Sequence, residues 1–311
     1  MKKNLSTVII VAVCALALGP LCTGFFGPAW RARWLLAWAA NEYQDGHIAE
    51  AEKTLRRAGE LSNELAMDPE FWKLKFEIVF NKEKPTAEAI SGLFEESVSQ
   101  ISAVPKIQQA NVATYVAEML RLSHEKDRAV DILQRFYPPI LKREASENNT
   151  IAYFRSLTKK GLETALLEID AALVADGKSR EEFLDTKAWV LHGLGRDELA
   201  LPFAEEAIKK LHSQNELPSK VRPADRIAFQ DLLFSDGVAS EEVAVVPNRL
   251  DELKKRFSYV NPLEIDGLAK KIAALRFHRA CILDELGRTG ESDLDYAWLD
   301  RFGFTETDKL N

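Results

Sequence analysis

The chain has 311 residues and a formal net charge of −7 at pH 7. The charge is uneven, because the first 41 residues hold four basic residues and no acidic one, which leaves the remainder distinctly acidic. An acidic body argues against nucleic acid binding, since phosphates require a basic surface. Two of the three cysteines lie in one apolar segment near the N-terminus, so no disulfide framework is expected in the rest of the chain.

The first predicted element is that apolar segment. Residues 8–18 form an uninterrupted apolar run behind two lysines, as in a secretory signal, and residues 15–17 (Ala-Leu-Ala) offer a small-x-small cleavage site. The apolar character continues further, and residues 8–26 as a helix would be ~28 Å long, about the thickness of a bilayer core. Residues 1–30 are therefore predicted to be a signal peptide or a transmembrane anchor, and the length favours the anchor.

Basic residues at the very start slightly favour a cytoplasmic N-terminus, so the remainder is expected on the extracytoplasmic, periplasmic side. Trp30, Trp34 and Trp38 then recur every four residues and mark one face of a helix. We predict that Trp30 and Trp34 contact the membrane interface as an aromatic belt, with core packing as an equal alternative. Trp38 is predicted to lie in the core.

Paired helical patterns fill most of the chain after this point. Residues 181–213 hold two such patterns, separated by the turn Leu194-Gly195-Arg196. Small residues occur where two antiparallel helices would approach closely, at Ala188, Ala200 and Ala207. The same frame recurs in fair copies that begin at Ala32, Ala110, Ser146 and Ala273, and in a poor copy that begins at Pro69.

This pattern resembles the tetratricopeptide repeat, a helical hairpin that must stack on its neighbours to bury its apolar face. Small residues stand at repeat positions 8, 20 and 27, and the pattern departs where His212 replaces the usual proline. The resemblance implies an all-α fold, an α-solenoid of five or six degenerate antiparallel helix pairs that follows one N-terminal hydrophobic helix. The pairs would occupy residues 31–214, and a last hairpin with the C-terminus would occupy residues 271–311.

Residues 215–270 lack the repeat frame and contain four prolines. Within them, residues 225–234 and 249–257 have helical apolar spacing, and aromatic side chains such as Phe229 and Phe257 need burial. We predict a non-repeat insert of short helices and loops that packs on the repeats.

In the family that this chain resembles, the first helix of each pair lines a concave groove. Carried over residue by residue, the resemblance implies a partner-binding groove formed by Tyr115, Glu118, Arg121, Phe154, Asp185, Trp189, His192 and His278. Aromatic and arginine side chains dominate binding hot spots. The equal alternative is that Trp189 and Phe154 pack against the next repeat or beneath the insert.

The five histidines occur singly, without an HExxH motif or a Cys/His cluster, so no metal or cofactor site is predicted. No nucleophile or phosphate-binding motif points to an enzyme. The sequence therefore predicts a non-enzymatic, membrane-anchored scaffold of the bacterial envelope that binds a protein or peptide on its concave face. The alternative is a structural or accessory subunit of a larger membrane complex.

Overall fold

Fourteen α-helices and three short 3-10 segments make up the regular structure of the part of the chain that a computed structural model describes. The described residues are 27–80, 85–177, 180–213, 217–218, 220–234 and 248–305. Among them, every helix is too short or too polar to cross a membrane. The predicted anchor at residues 8–26 lies outside these ranges.

The chain divides into two compact units, Met1–Pro138 and Pro139–Asn311. In unit 1, α1 packs with α2 and α5 with α6, whereas α3 and α4 each pack on α5. The helices of unit 1 are α1 (Pro28–Gln44), α2 (Ile48–Leu61), α3 (Pro69–Phe80), α4 (Ala87–Ala103), α5 (Lys106–Leu122) and α6 (Lys126–Phe136).

The helices of unit 2 are α7 (Ala145–Thr158), α8 (Leu162–Asp176), α9 (Glu181–Gly193), α10 (Asp197–Ser213), α11 (Arg226–Phe234), α12 (Arg249–Arg256), α13 (Pro262–Glu285) and α14 (Thr289–Arg301). Three pairs, α7/α8, α9/α10 and α13/α14, contact one another in chain order. Although α11 and α12 intervene in the sequence, α10 packs directly on α13. The sequence predicts a last hairpin from residue 271, whereas helix α13 already begins at Pro262. Asn261 caps this start by accepting a hydrogen bond from the Leu263 N–H.

The small residues of the repeat frame are the points where the paired helices touch. Ala188, Ala200 and Ala207 have no exposed surface in the α9/α10 pair. The same positions in the other pairs are equally buried, at Ala39, Ala51, Ala58, Ala117, Ala129, Ala165, Ala172 and Ala280. A larger side chain at these crossings would push the two helices apart, so the spacing read from the sequence marks real helix contacts.

Four of the pairs share the same hydrogen-bonded turn after their first helix. In α9, the Gly195 N–H donates to the His192 carbonyl at 2.8 Å and the Arg196 N–H donates to the Leu191 carbonyl at 2.9 Å, a Schellman motif. Equivalent bonds form at Gly46/His47, His124/Glu125 and Gly287/Arg288. His124 adopts the left-handed conformation with φ 63°, a region that histidine enters more readily than most residues, so the turn survives without glycine.

The insert is docked on the last helix pair of unit 2. Phe229 of α11 is buried in one core cluster with Trp298 of α14. Two side chains also hold the end of α11 by its carbonyls: Trp298 Nε1 donates to Leu233 O at 2.9 Å and Arg276 Nη2 donates to Phe234 O at 3.1 Å. These contacts make α11 part of the unit 2 core.

Candidate partner-binding site

Of the predicted groove residues, Tyr115 on α5 in unit 1 is the exposed one, and two aliphatic side chains of the same helix that the sequence did not single out, Ile107 and Leu122, are exposed as well. Ile107, Tyr115 and Leu122 are 89%, 40% and 57% exposed. Their spacing places them within an arc of about 80° on one helix face, over a length of about 22 Å. Val112 and Val116, on another face of α5, are buried. We call Ile107, Tyr115 and Leu122 the α5 stripe.

A fixed ion pair lies at the α5 stripe, with Glu118 inside its arc and Arg121 next to that arc by helical spacing. Arg121 Nε donates to Glu118 Oε2 at 2.9 Å, and Arg121 Nη2 donates to Glu118 Oε1 at 2.7 Å. A bidentate pair holds both side chains in one geometry. The side chains of Glu118 and Arg121 are therefore more ordered than those of typical charged residues on a protein surface.

In unit 2, four of the predicted residues come together where α9 meets α13. The Trp189 ring stacks on His278, with centroids 4.2 Å apart and planes 18° apart, and on His192 at 4.9 Å and 23°. His278 Nδ1 lies 2.9 Å from both carboxylate oxygens of Asp185, and His192 Nδ1 lies 2.6 Å from Asp197 Oδ1. Trp189, His192 and His278, which we call the tryptophan–histidine stack, connect neighbouring helix pairs.

The predicted groove in unit 2 is corrected by the structure, because three of its residues are buried. Phe154, Asp185 and His278 are buried, whereas Trp189 and His192 are partly buried. The side chains of α9 and α13 pack on each other, so Asp185 and His278 fill the space between the helices and do not line an open surface. Phe154 is likewise absent from the surface, with its ring edge-to-face on Tyr153.

Helix α1 carries its three tryptophans on the face opposite to its buried residues. Trp30, Trp34 and Trp38 are each about half exposed, whereas Ala32, Leu36 and Ala39 are buried. The Trp34 and Trp38 rings lie 5.2 Å apart, and Trp38 Nε1 donates to Glu42 Oε1 at 2.6 Å. The prediction that Trp38 lies in the core is wrong. Helix α1 is the first described helix, so no earlier described pair covers this face.

Sequence reasoning missed three buried carboxylates among the described residues, Glu168, Glu181 and Asp295, and the first of these lies on α8. Glu168 accepts a hydrogen bond from Arg143 Nη1 at 2.7 Å and from Arg155 Nε at 3.0 Å. Its spacing from Ala165 and Ala172 places it on the buried arc of α8, so the periodicity held the signal. The two arginines join Glu168 to α7 and to the segment before it, which gives this carboxylate a structural role.

Asp295 on α14 is another of these buried carboxylates. It has no exposed surface and accepts hydrogen bonds from Arg276 Nη1 at 2.8 Å and Arg279 Nη2 at 2.7 Å. Both arginines belong to α13, so Asp295 ties the last helix pair together from within.

Within the described ranges, no three His, Cys, Asp or Glu side chains converge in a way that could hold a metal ion. Comparison with protein-family models finds no match to this chain, and comparison with curated proteins finds none either. The resemblance to the tetratricopeptide repeat therefore stays a prediction.

Proposed function

We propose that this protein is a non-enzymatic, membrane-anchored helical-repeat scaffold that binds an amphipathic helix of a protein partner through the α5 stripe. The observation that carries the proposal is the exposure of Ile107, Tyr115 and Leu122 within one arc of about 80° on α5. Fully burying an aliphatic side chain of this size contributes roughly 1.5–3 kcal/mol, so a partner that covers the stripe gains substantial free energy.

The geometry of the α5 stripe favours a helical partner. Its length of about 22 Å corresponds to four helical turns, which is the reach of a helix that binds through residues spaced three and four apart. Glu118 lies within the arc of the stripe and Arg121 next to it, so this pair offers charge of both signs where polar contacts orient a partner.

The tryptophan face of α1 supports attachment to the membrane. Tryptophan is enriched at the level of the lipid headgroups, because its ring is apolar and its N–H is polar. Trp30, Trp34 and Trp38 follow the apolar residues 8–26 directly, and Arg31 with Arg33 supplies positive charge for anionic lipid. In this proposal α1 lies at the interface, and the helix pairs extend from it on the periplasmic side.

Quenching by brominated lipid tests the membrane contact. In vesicles that contain dibrominated phosphatidylcholine, we expect the tryptophan emission of the full chain to be quenched. Replacement of Trp30, Trp34 and Trp38 by phenylalanine should remove most of this quenching. Trp72→Phe is the matched control, because Trp72 has no exposed surface. Full quenching in the triple variant would show that the α1 face does not touch the membrane.

Site-specific photo-crosslinking tests the partner site. With benzoylphenylalanine at position 115 in the full-length protein in cells, we expect one discrete crosslinked product. The same probe at Val174, which is 84% exposed on α8, is the control and should give no such product. Leu122→Asp should abolish the product from position 115. Products of equal yield from both positions, or persistence with Leu122→Asp, would count against the α5 stripe.

The tryptophan face also favours a second candidate function, that of a structural or accessory subunit of a larger membrane complex. Exposed tryptophans beside a predicted span could contact neighbouring transmembrane helices. Purification in mild detergent distinguishes the two functions. A single stoichiometric membrane assembly supports the subunit, whereas sub-stoichiometric binding of a separate protein supports the scaffold.

A further inference from the structure

Unit 1 contains a partly open cavity of about 510 Å³ between α2, α3 and α4. Its volume is in the range of small-molecule sites. Aliphatic and aromatic side chains form much of its wall, namely Leu55, Phe71, Ile78, Val79 and Leu93. A wall of this kind gains free energy by covering the aliphatic or aromatic body of a ligand.

Lys75 of α3 lines this cavity with an amine that is largely removed from water. Its side chain is 14% exposed, and Nζ lies 5.1 Å from the centre of the Phe71 ring and 5.5 Å from that of the Trp72 ring. Loss of hydration on burial lowers the pKa of Lys75, and the hydrogen bond and charge of Glu96 oppose this effect only in part. A lysine with a lowered pKa is more often a neutral amine, which is the form that attacks a carbonyl carbon.

A carboxylate is bonded to this amine and can carry its proton. Lys75 Nζ donates to Glu96 Oε1, which joins α3 to α4. Gln100, one turn further along α4, donates from Nε2 to the same oxygen at 3.1 Å and so holds the carboxylate in place. A nucleophile bonded to a base that a third group orients is the arrangement by which proteins activate nucleophiles.

We propose that this cavity captures an apolar aldehyde as a reversible imine on Lys75. Glu96 takes one proton from the Lys75 ammonium, and the nitrogen lone pair then forms a bond to the aldehyde carbon. The former carbonyl oxygen takes a proton from the nitrogen and a second proton from Glu96, and it leaves as water. Aldehyde and ammonium thus give a protonated imine and one water without another reactant, and the imine pairs with the Glu96 carboxylate.

The chemistry at Lys75 favours an aldehyde over an ester or an amide. Imine formation expels only water, whereas attack on an ester or an amide expels an alkoxide or an amine, which requires further donors to stabilise it. The apolar wall then favours an aldehyde with an aliphatic or aromatic body. None of the residues that line this cavity belongs to the α5 stripe, so the site does not depend on the proposed function.

Reductive trapping in the wild-type full chain tests the site. The protein is incubated with octanal at neutral pH, sodium cyanoborohydride reduces the imine to a stable secondary amine, and mass spectrometry measures the octyl group on each lysine. Lys73 is the matched control, because it lies on the same helix, outside the cavity, and its side chain is 54% exposed. We expect Lys75 to be modified about tenfold faster than Lys73, because a positioned proton carrier outweighs the smaller exposure. Modification of Lys75 no faster than that of Lys73 would overturn the proposal.

A variant at the cavity wall tests whether octanal reacts from within the cavity. Ala89 lines the cavity and is exposed, so Ala89→Trp should obstruct it and slow the modification of Lys75 about tenfold. Ala87→Trp, on the same helix but outside the lining, should react like the wild type. Unchanged modification of Lys75 in folded Ala89→Trp, with folding checked by circular dichroism, would show that the cavity does not bind the aldehyde.

Glu96→Gln tests the proton transfer. The variant removes the charge that raises the pKa of Lys75, so an amine that needs no proton carrier would react faster. If Glu96 carries the proton, we expect modification of Lys75 to be about tenfold slower. Equal or faster modification in the folded variant would overturn the proposed step. Should either variant fail to fold, the comparison of Lys75 with Lys73 in the wild type decides.

Discussion

Replacement of Asp295 by alanine should reduce the free energy of unfolding by ~3–5 kcal/mol, the range seen when one partner of a buried ion pair is removed. Asp295 is 0% exposed and Arg276 is 3% exposed, so the variant leaves a buried guanidinium without its carboxylate. Arg276 also donates to Phe234 O and lies over the Trp298 ring. We therefore expect the insert and the last helix pair to loosen together, measured by urea unfolding and by the near-ultraviolet circular dichroism of the buried tryptophan.

Two further variants show whether Asp295→Ala loses stability because a buried charge is left unpaired or because packing is lost. Glu291→Ala, on the same helix, removes an exposed carboxylate whose main partner is Arg288 and should change the free energy of unfolding by less than ~1 kcal/mol. The double replacement Arg276→Met with Asp295→Leu should recover much of the lost stability, because it removes both buried charges at once. If Asp295→Ala unfolds like the wild type, the buried pair does not hold unit 2 together.

The helix pairs and their turns could be predicted because they depend on short-range geometry. A small residue at a fixed spacing marks a helix crossing wherever it occurs, as at Ala200 and Ala207. The turn geometry is equally local, since His124 forms the same turn as Gly195 without being glycine. The burial of Glu168 also followed from its helical spacing relative to Ala165 and Ala172. It was missed because a charged residue in a sequence is normally taken to be exposed to solvent.

The environments of individual side chains depend on neighbours that are distant in sequence. Trp38 is predicted to lie in the core but is about half exposed, and no described helix precedes α1 to cover that face. His278 meets Asp185 although the insert separates them in the chain, because α13 docks on α9 and α10. Helices α3 and α4 follow each other in the chain, yet each packs more on α5 than on the other. None of these three facts follows from the pattern of a single segment.

Replacement of Tyr115 by alanine should weaken binding of the partner about 30-fold, which corresponds to the ~2 kcal/mol that an aromatic hot spot contributes. The side chain lies at the centre of the α5 stripe and is 40% exposed, so its removal should leave the melting temperature unchanged. Titration calorimetry with the protein captured by crosslinking at position 115 gives the affinity, and circular dichroism gives the melting temperature. Arg121→Ala should have a smaller effect that fades at high ionic strength, as expected for a rim charge.

Trp189→Ala is the informative comparison, because sequence alone gave Trp189 the same role as Tyr115. In the structure its ring stacks on His278 and lies 6.3 Å from the Phe277 ring, both on α13. Its removal should lower the melting temperature by loosening α9 from α13, and should reduce affinity only as far as folding is lost. The opposite pattern is also possible to observe: Trp189→Ala would weaken binding at an unchanged melting temperature, and Tyr115→Ala would bind normally. That result would place recognition on the tryptophan–histidine stack of unit 2.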